Sequence, residues 1–211
     1  MKKSIALVMM AVLLVAASVM GTLAYLTSTD TVKNTFTVGK VAITLDEAKV
    51  TEYGKAVTPA SRVKENTYKL IPGHAYTKDP TVTVKAGSEE SYVRQIVTVS
   101  FNKELNDAQL ATNLDSIFQG YNASEWVRNA KDVKNENGKT VITYEYRYKE
   151  TVTATDCDTK LPALFTGIKI PENWTNETLA GFGGFEINIV AHAIQADGFA
   201  NADAAWAKFS N

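Results

Sequence analysis

The run SYVRQIVTVSF, residues 91 to 101, alternates with a period of two: Val93, Gln95, Val97, Val99 and Phe101 share one parity. Successive side chains on a strand point to opposite faces, so these five line one side of a sheet, whereas a helix would scatter them around its axis. The pattern recurs. Val82 and Val84 alternate after Pro80, with a turn at Ala86-Gly87-Ser88. Trp126 and Val127 open another extended stretch, Asn137-Gly138 is a hairpin signal, and Ile142, Tyr144, Tyr146 and Tyr148 then oppose Thr143, Glu145 and Arg147. Phe165 to Ile170 reads as a further strand, and Phe185, Ile187, Ile189, Ala191 and Ala193 mark the inward face of the last one.

Between these strands lie turn residues: Pro72-Gly73, Asp197-Gly198, and a polar stretch from Ala48 to Lys69 with bends at Tyr53-Gly54 and Thr58-Pro59. The period changes once. Leu110, Leu114, Ile117, Phe118 and Tyr121 recur at helical spacing, with Asn106 or Asp107 as cap and Gly120 as stop, which predicts an inserted helix. Asn201 or Asp203 is positioned to cap a short C-terminal helix carrying Trp206 and Phe209. Many short strands with turn chemistry between them predict a mainly β chain, an antiparallel β-sandwich of jelly-roll type. At 211 residues, 45% of them hydrophobic, one core is affordable.

The N-terminus, MKKSIALVMMAVLLVAASVMGTLAYLTSTD, has two lysines, an apolar run and then small residues. That is the order of a secretory signal. Thr22-Leu23-Ala24 is the best small-x-small match and places cleavage between Ala24 and Tyr25; Ala16-Ala17-Ser18 is the competitor. The other reading is an uncleaved anchor, since Ile5 to Leu26 has the length of a membrane span. The expected division is thus a signal over residues 1–24 and one domain over 25–211. Just past the signal, Val32, Asn34, Phe36 and Val38 share a parity; after Gly39-Lys40 it flips to Val41, Ile43 and Leu45. A flip of this kind needs a bulge or a hand-over between sheets.

Chemistry is sparse. With 22 basic and 23 acidic residues the chain has no basic field for nucleic acid. The single cysteine, Cys157, excludes an intramolecular disulfide, and between Asp156 and Asp158 it lacks the cationic neighbours that activate a thiol. His74 and His192 stand apart and outside any His-Glu-x-x-His helix; no phosphate loop, Gly-x-Ser-x-Gly elbow or Cys-x-x-Cys is present. Asp156 with Asp158, and Asp197 with Asn201 and Asp203, offer oxygens to calcium, without the spacing of a twelve-residue loop. The tyrosine stripe reads either as a stacking platform for sugars or as one packed sheet face. Asn122, Asn173 and Asn176 begin sequons that matter only in a eukaryotic secretory context. No enzyme activity and no cofactor are expected.

The segments GTLAYLTSTDTVKNTFTVGKVAITLDE, LIPGHAYTKDPTVTVKAGSEESYVRQIVTV, LFTGIKIPENW and INIVAHAIQADGFANADAAWAKF resemble recurring blocks of the TasA and camelysin group of Gram-positive bacteria. The resemblance implies export through the specialised signal peptidase SipW. It also implies a jelly-roll domain at the cell surface or in the extracellular matrix, and self-association into biofilm fibres in which the mature N-terminus of one subunit completes the sheet of the next. Membrane contact would run only through an uncleaved signal. Val32, Asn34, Phe36 and Val38 are then the assembly strand, either donated to a neighbour or paired within its own domain. A monomeric adhesin or carbohydrate-binding module is the competing expectation. Camelysin has been classed as a metalloprotease, but this chain lacks a recognisable zinc motif, which ranks a secreted metallopeptidase last.

Overall fold

The computed structural model describes residues 39–106, 114–182 and 184–209. The expected signal, the Ala24–Tyr25 cleavage site and the assembly strand Val32, Asn34, Phe36 and Val38 lie outside the described residues, as does the strand half of the expected flip at Gly39. Lys40 runs into the domain as extended chain, its carbonyl accepting from Glu89 N–H and that of Ala42 from Lys85 N–H.

The longest alternating run forms the longest strand. In chain order the strands are β1 (Ile43–Ala48), β2 (Arg62–Val63), β3 (Ala75–Thr77), β4 (Thr81–Val84), β5 (Ser88–Phe101), β6 (Phe118–Gln119), β7 (Trp126–Glu136), β8 (Lys139–Tyr148), β9 (Val152–Ala154), β10 (Thr159–Lys160), β11 (Gly167–Lys169) and β12 (Phe185–Gln195). Every pairing between them is antiparallel. One sheet runs β12-β5-β8-β7, with β9 added on β5; a second runs β10-β4-β1-β2; a small third runs β3-β11-β6. The mainly β, antiparallel sandwich expected from the alternation is what the chain forms.

The turn at Ala86-Gly87 is present, Gly87 taking φ +75°. It does not make a hairpin, because β4 pairs with β1 and β10 whereas β5 pairs with β8, β9 and β12. The chain crosses there from one sheet to the other. Val82 and Val84 enter the core from one side, and Val93, Val97, Val99, Phe101, Ile142, Tyr144 and Tyr146 from the other. Between β7 and β8, Asn137 (φ 55°) and Gly138 (φ 75°) form the two-residue turn that their sequence requires. The Thr58–Pro59 peptide is cis.

The expected inserted helix is corrected over its C-terminal part, while residues 107–113 lie outside the described residues. Only its C-terminal half is described, and there Leu114–Ile117 is a single 3₁₀ turn followed directly by strand β6, whose Phe118 pairs with Ile168. Leu114 and Ile117 are buried as the periodicity implied, but one turn suffices to bury both. Phe118 is held by its aromatic neighbours Tyr144 and Phe165 rather than by a helical face. Among the described residues the α-helices are α1 (Asn176–Gly181), which the sequence reading missed, and α2 (Ala202–Lys208). Thr175 caps α1 through the Thr178 N–H, and Asn201 caps α2 through the Ala204 N–H. Of the expected strand from Phe165 to Ile170 only Gly167–Lys169 pairs.

Helix α2 lies against the outer face of the large sheet. Arg94 stacks on Trp206, with its guanidinium carbon 4.4 Å from the ring centre, and on Phe209 at 4.9 Å. The Arg94 Nε donates to His192 Nδ1 at 3.2 Å, and His192 packs on Phe209. This is a packing role for the strand histidine.

Candidate functional site

The two edges of the large sheet are built differently. β7 carries Arg128, Lys131 and Lys134, is exposed after Trp126, and has a register shift between Arg128 and Ala130. Charges and a bulge are the devices that keep an edge from accepting another strand. β12 lacks the bulge and carries little charge: its eleven residues pair with β5 in unbroken register, and Glu186 and His192 are its only acidic or basic residues. Among the described strands nothing pairs with its other side.

Among the described strands β1 presents a second open edge. It pairs with β4 along Ile43–Asp46, but β2 reaches its opposite side only at Glu47 and Ala48. β1 runs close to β12 without backbone pairing. Between the two lies a groove of about 690 Å³, lined by consecutive residues from Ile43 to Glu47 on one side and from Glu186 to Ala191 on the other. Consecutive residues on both walls mean that the walls are strand edges rather than side-chain faces. A smaller hollow of about 240 Å³, floored by Ile168 and Phe185, adjoins it through Asn66 and Lys78.

The core is incomplete along this seam. Ile187, Ile189, Ala191 and Ala193 have the inward parity the sequence predicts, yet all are half-buried, as are Ile43 and Leu45 opposite them. Their neighbours one strand further in, Val93, Val97 and Val99, are fully buried. Val190, pointing to the other face, is 42% exposed. Gln95 lies beside Ala191 on the inward face, 0% exposed, and neither amide atom has a hydrogen-bond partner.

One end of the groove is ionic. Lys78 Nζ lies 2.7 Å from Glu47 Oε2, each side chain only 8% exposed, and Asn66 Nδ2 donates to Glu47 Oε1 at 2.9 Å. Burial, and then the Glu47 charge, push the nearby Tyr68 hydroxyl far above the usual phenol range. Nothing singled out Lys78 in the sequence. Glu47 had a signal, since it shares the inward parity of Ile43 and Leu45 and is the charged member of that set.

The remaining candidates fall elsewhere. Tyr144 and Tyr146 are buried in the core and Tyr148 is half-buried, so at the first two positions the stripe is a packed sheet face. Tyr144 donates to Asp115, which also binds Arg128 and Lys131. Burial pushes the Asp115 carboxyl up, but these three partners outweigh it and hold the acid below its usual range. Cys157 is exposed; Asp158 is taken up by Lys85 and the Ala86 N–H, and Asp203 by Arg147. His74 contacts the Tyr53 carbonyl and the Tyr76 ring. Asn173 and Asn176 are exposed, and Asn122 is half-buried. Among the described residues no three His, Cys, Asp or Glu side chains converge as metal ligands, and no helix is long and apolar enough to cross a membrane.

Fold and site together define a β-sandwich with a groove between two sheet edges. Compared with known proteins, the chain matches no protein-family model, no characterised protein and no solved structure.

Proposed function

We propose that the protein is a secreted structural component of a bacterial cell surface or extracellular matrix that assembles non-covalently into fibres. In this reading the signal is removed after Ala24, and residues 25–38 of one copy enter the groove between β1 and β12 of the next. The single observation that carries the proposal is the pair of open edges with half-buried apolar residues between them. An extended segment there gains main-chain hydrogen bonds to an edge while its alternate side chains fill the gap. Val32, Phe36 and Val38 have the required alternation, and full burial of each is worth roughly 1.5–3 kcal/mol. The resemblance to the TasA and camelysin group supports the same reading, together with export through SipW and a jelly-roll topology.

The test is to delete residues 25–36 from the secreted form and examine it by electron microscopy and sedimentation. A folded, soluble domain that no longer forms fibres is the expected result. Fibres of normal morphology from the truncated protein would sink the proposal.

A further inference from the structure

We propose that Lys78 and Asn66 join in an intramolecular isopeptide bond, with Glu47 as the catalytic residue. The inference is independent of strand donation and rests on three side chains at the ionic end of the groove. Lys78 Nζ lies 2.7 Å from Glu47 Oε2, and Asn66 Nδ2 donates to Glu47 Oε1 at 2.9 Å. One carboxylate thus holds an amine on one oxygen and a carboxamide on the other. Of the lysine ion pairs among the described residues this is the buried one. Both its side chains are 8% exposed, whereas in the others every side chain is at least 32% exposed.

The carboxamide of Asn66 is oriented for attack. Its Oδ1 accepts from the Val50 N–H at 3.0 Å, so its nitrogen faces the other way, donating to Glu47 and, at 2.9 Å, to the Ala48 carbonyl. The Val50 N–H sits where negative charge would gather on Oδ1 as the carbon turns tetrahedral. Lys78 is held by less. Its hydrogen bond to Glu47 uses one of three ammonium donors, and its other neighbours are the Tyr68 ring, 5.8 Å from Nζ, and the hollow floored by Ile168 and Phe185.

Two charges this far from water are costly, and a proton passing from Nζ to Oε2 leaves a neutral amine and a neutral acid. A lysine without its proton in an apolar surround is a nucleophile. Its lone pair attacks Asn66 Cγ, forming the new C–N bond and moving an electron pair onto Oδ1. Glu47 gives its proton to Nδ2 and takes one from the attacking nitrogen. The Cγ–Nδ2 bond then breaks and ammonia leaves. The amide between Lys78 Nζ and Asn66 Cγ remains, with Glu47 as the neutral acid beside it, so a buried ion pair has become an uncharged one. A staple here has a structural use, because with Cys157 as its single cysteine the chain can form no internal disulfide. The amide ties the loop after β2 to the segment between β3 and β4, closing residues 66–78 into a ring at the end of the groove. Until the bond closes, the chain carries the ion pair and its stability is that of the ion pair.

The experiment follows the intact mass of the purified chain, denatured for measurement, through prolonged incubation, with Lys78→Arg and Glu47→Gln alongside. The expected product is lighter by one ammonia. Trypsin, unable to cut at a linked Lys78, should release from it residues 65–69 joined to residues 70–85. Lys78→Arg keeps a cation for Glu47 and should stay at full mass. Glu47→Gln removes the proton carrier and should slow the loss by about a hundredfold or more. A wild-type chain that keeps its full mass overturns the bond. So does an ammonia loss that persists in Lys78→Arg, as succinimide formation at Asn137-Gly138 would give. Glu47→Gln reacting at the wild-type rate overturns the catalytic role of Glu47. Should Glu47→Gln fail to fold, the branched peptide, and its absence from Lys78→Arg, still decide whether the bond exists.

Discussion

Replacing Lys78 by Met tests whether the ionic end of the groove is as dry as its geometry implies. Methionine keeps most of the apolar stem but removes the ammonium that lies 2.7 Å from Glu47 Oε2. With both side chains 8% exposed, water cannot fully replace the lost partner. Stranding one member of a buried ion pair costs about 3–5 kcal/mol. Asn66 still donates to Glu47 Oε1, which puts the expected loss near the lower bound, about 3 kcal/mol. For a domain of this size that lowers the thermal midpoint by about 6–12 °C. Circular dichroism melts of Lys78→Met and of Lys78→Met with Glu47→Gln supply the assay; the double variant, with no buried charge, should recover most of the loss. A loss below about 1 kcal/mol in the single variant, or no recovery in the double, would refute the argument and mean that this wall is well solvated.

Gly167→Ala should destabilise the fold by at least about 2 kcal/mol, measured by denaturant titration, because the new Cβ would sit 2.6 Å from the Tyr76 carbonyl oxygen on paired strand β3. Tyr146→Ala should cost about 3–5 kcal/mol, whereas Tyr146→Phe should cost about 1 kcal/mol or less; equal stabilities would mean that the stripe is not core. Burial, and then the Arg94 charge, hold the His192 imidazole below its usual pKa against the smaller opposing pull of Glu145. The unfolded chain therefore takes up this proton first, and stability contributed here is complete above about pH 6.5 and falls as pH drops through the lowered folded value. Stability curves of wild type and His192→Asn should diverge in that acid range; parallel curves would show that His192 does not carry the effect.

The strands that position the groove were legible because each keeps a strict period of two. Val93 to Phe101, Ile142 to Tyr148 and Phe185 to Ala193 show their inward faces in sequence, and the structure places the first two faces in the core and leaves the third half covered. The two-residue turn at Asn137-Gly138 was equally plain, since few residue pairs accept positive φ twice in succession. Short strands were not: Arg62–Val63, Ala75–Thr77 and Thr159–Lys160 are too brief for any period to appear. The predicted helix failed at Phe118 because helical spacing over two turns also describes a 3₁₀ turn followed by a strand.

By itself the sequence determined a β-sandwich and its main inward faces, because alternation is a local property that each segment carries. Tertiary structure decided the rest. That β4 and β5 part into different sheets, that β12 is an edge without a bulge while β7 is a guarded one, and that Glu47 meets Lys78 depend on which segments pair across long stretches of chain. Gln95 shows the difference most clearly. Its parity said only that it points inward; the pairing with Ala191 on one side and Tyr146 on the other is what leaves its amide buried without a hydrogen-bond partner.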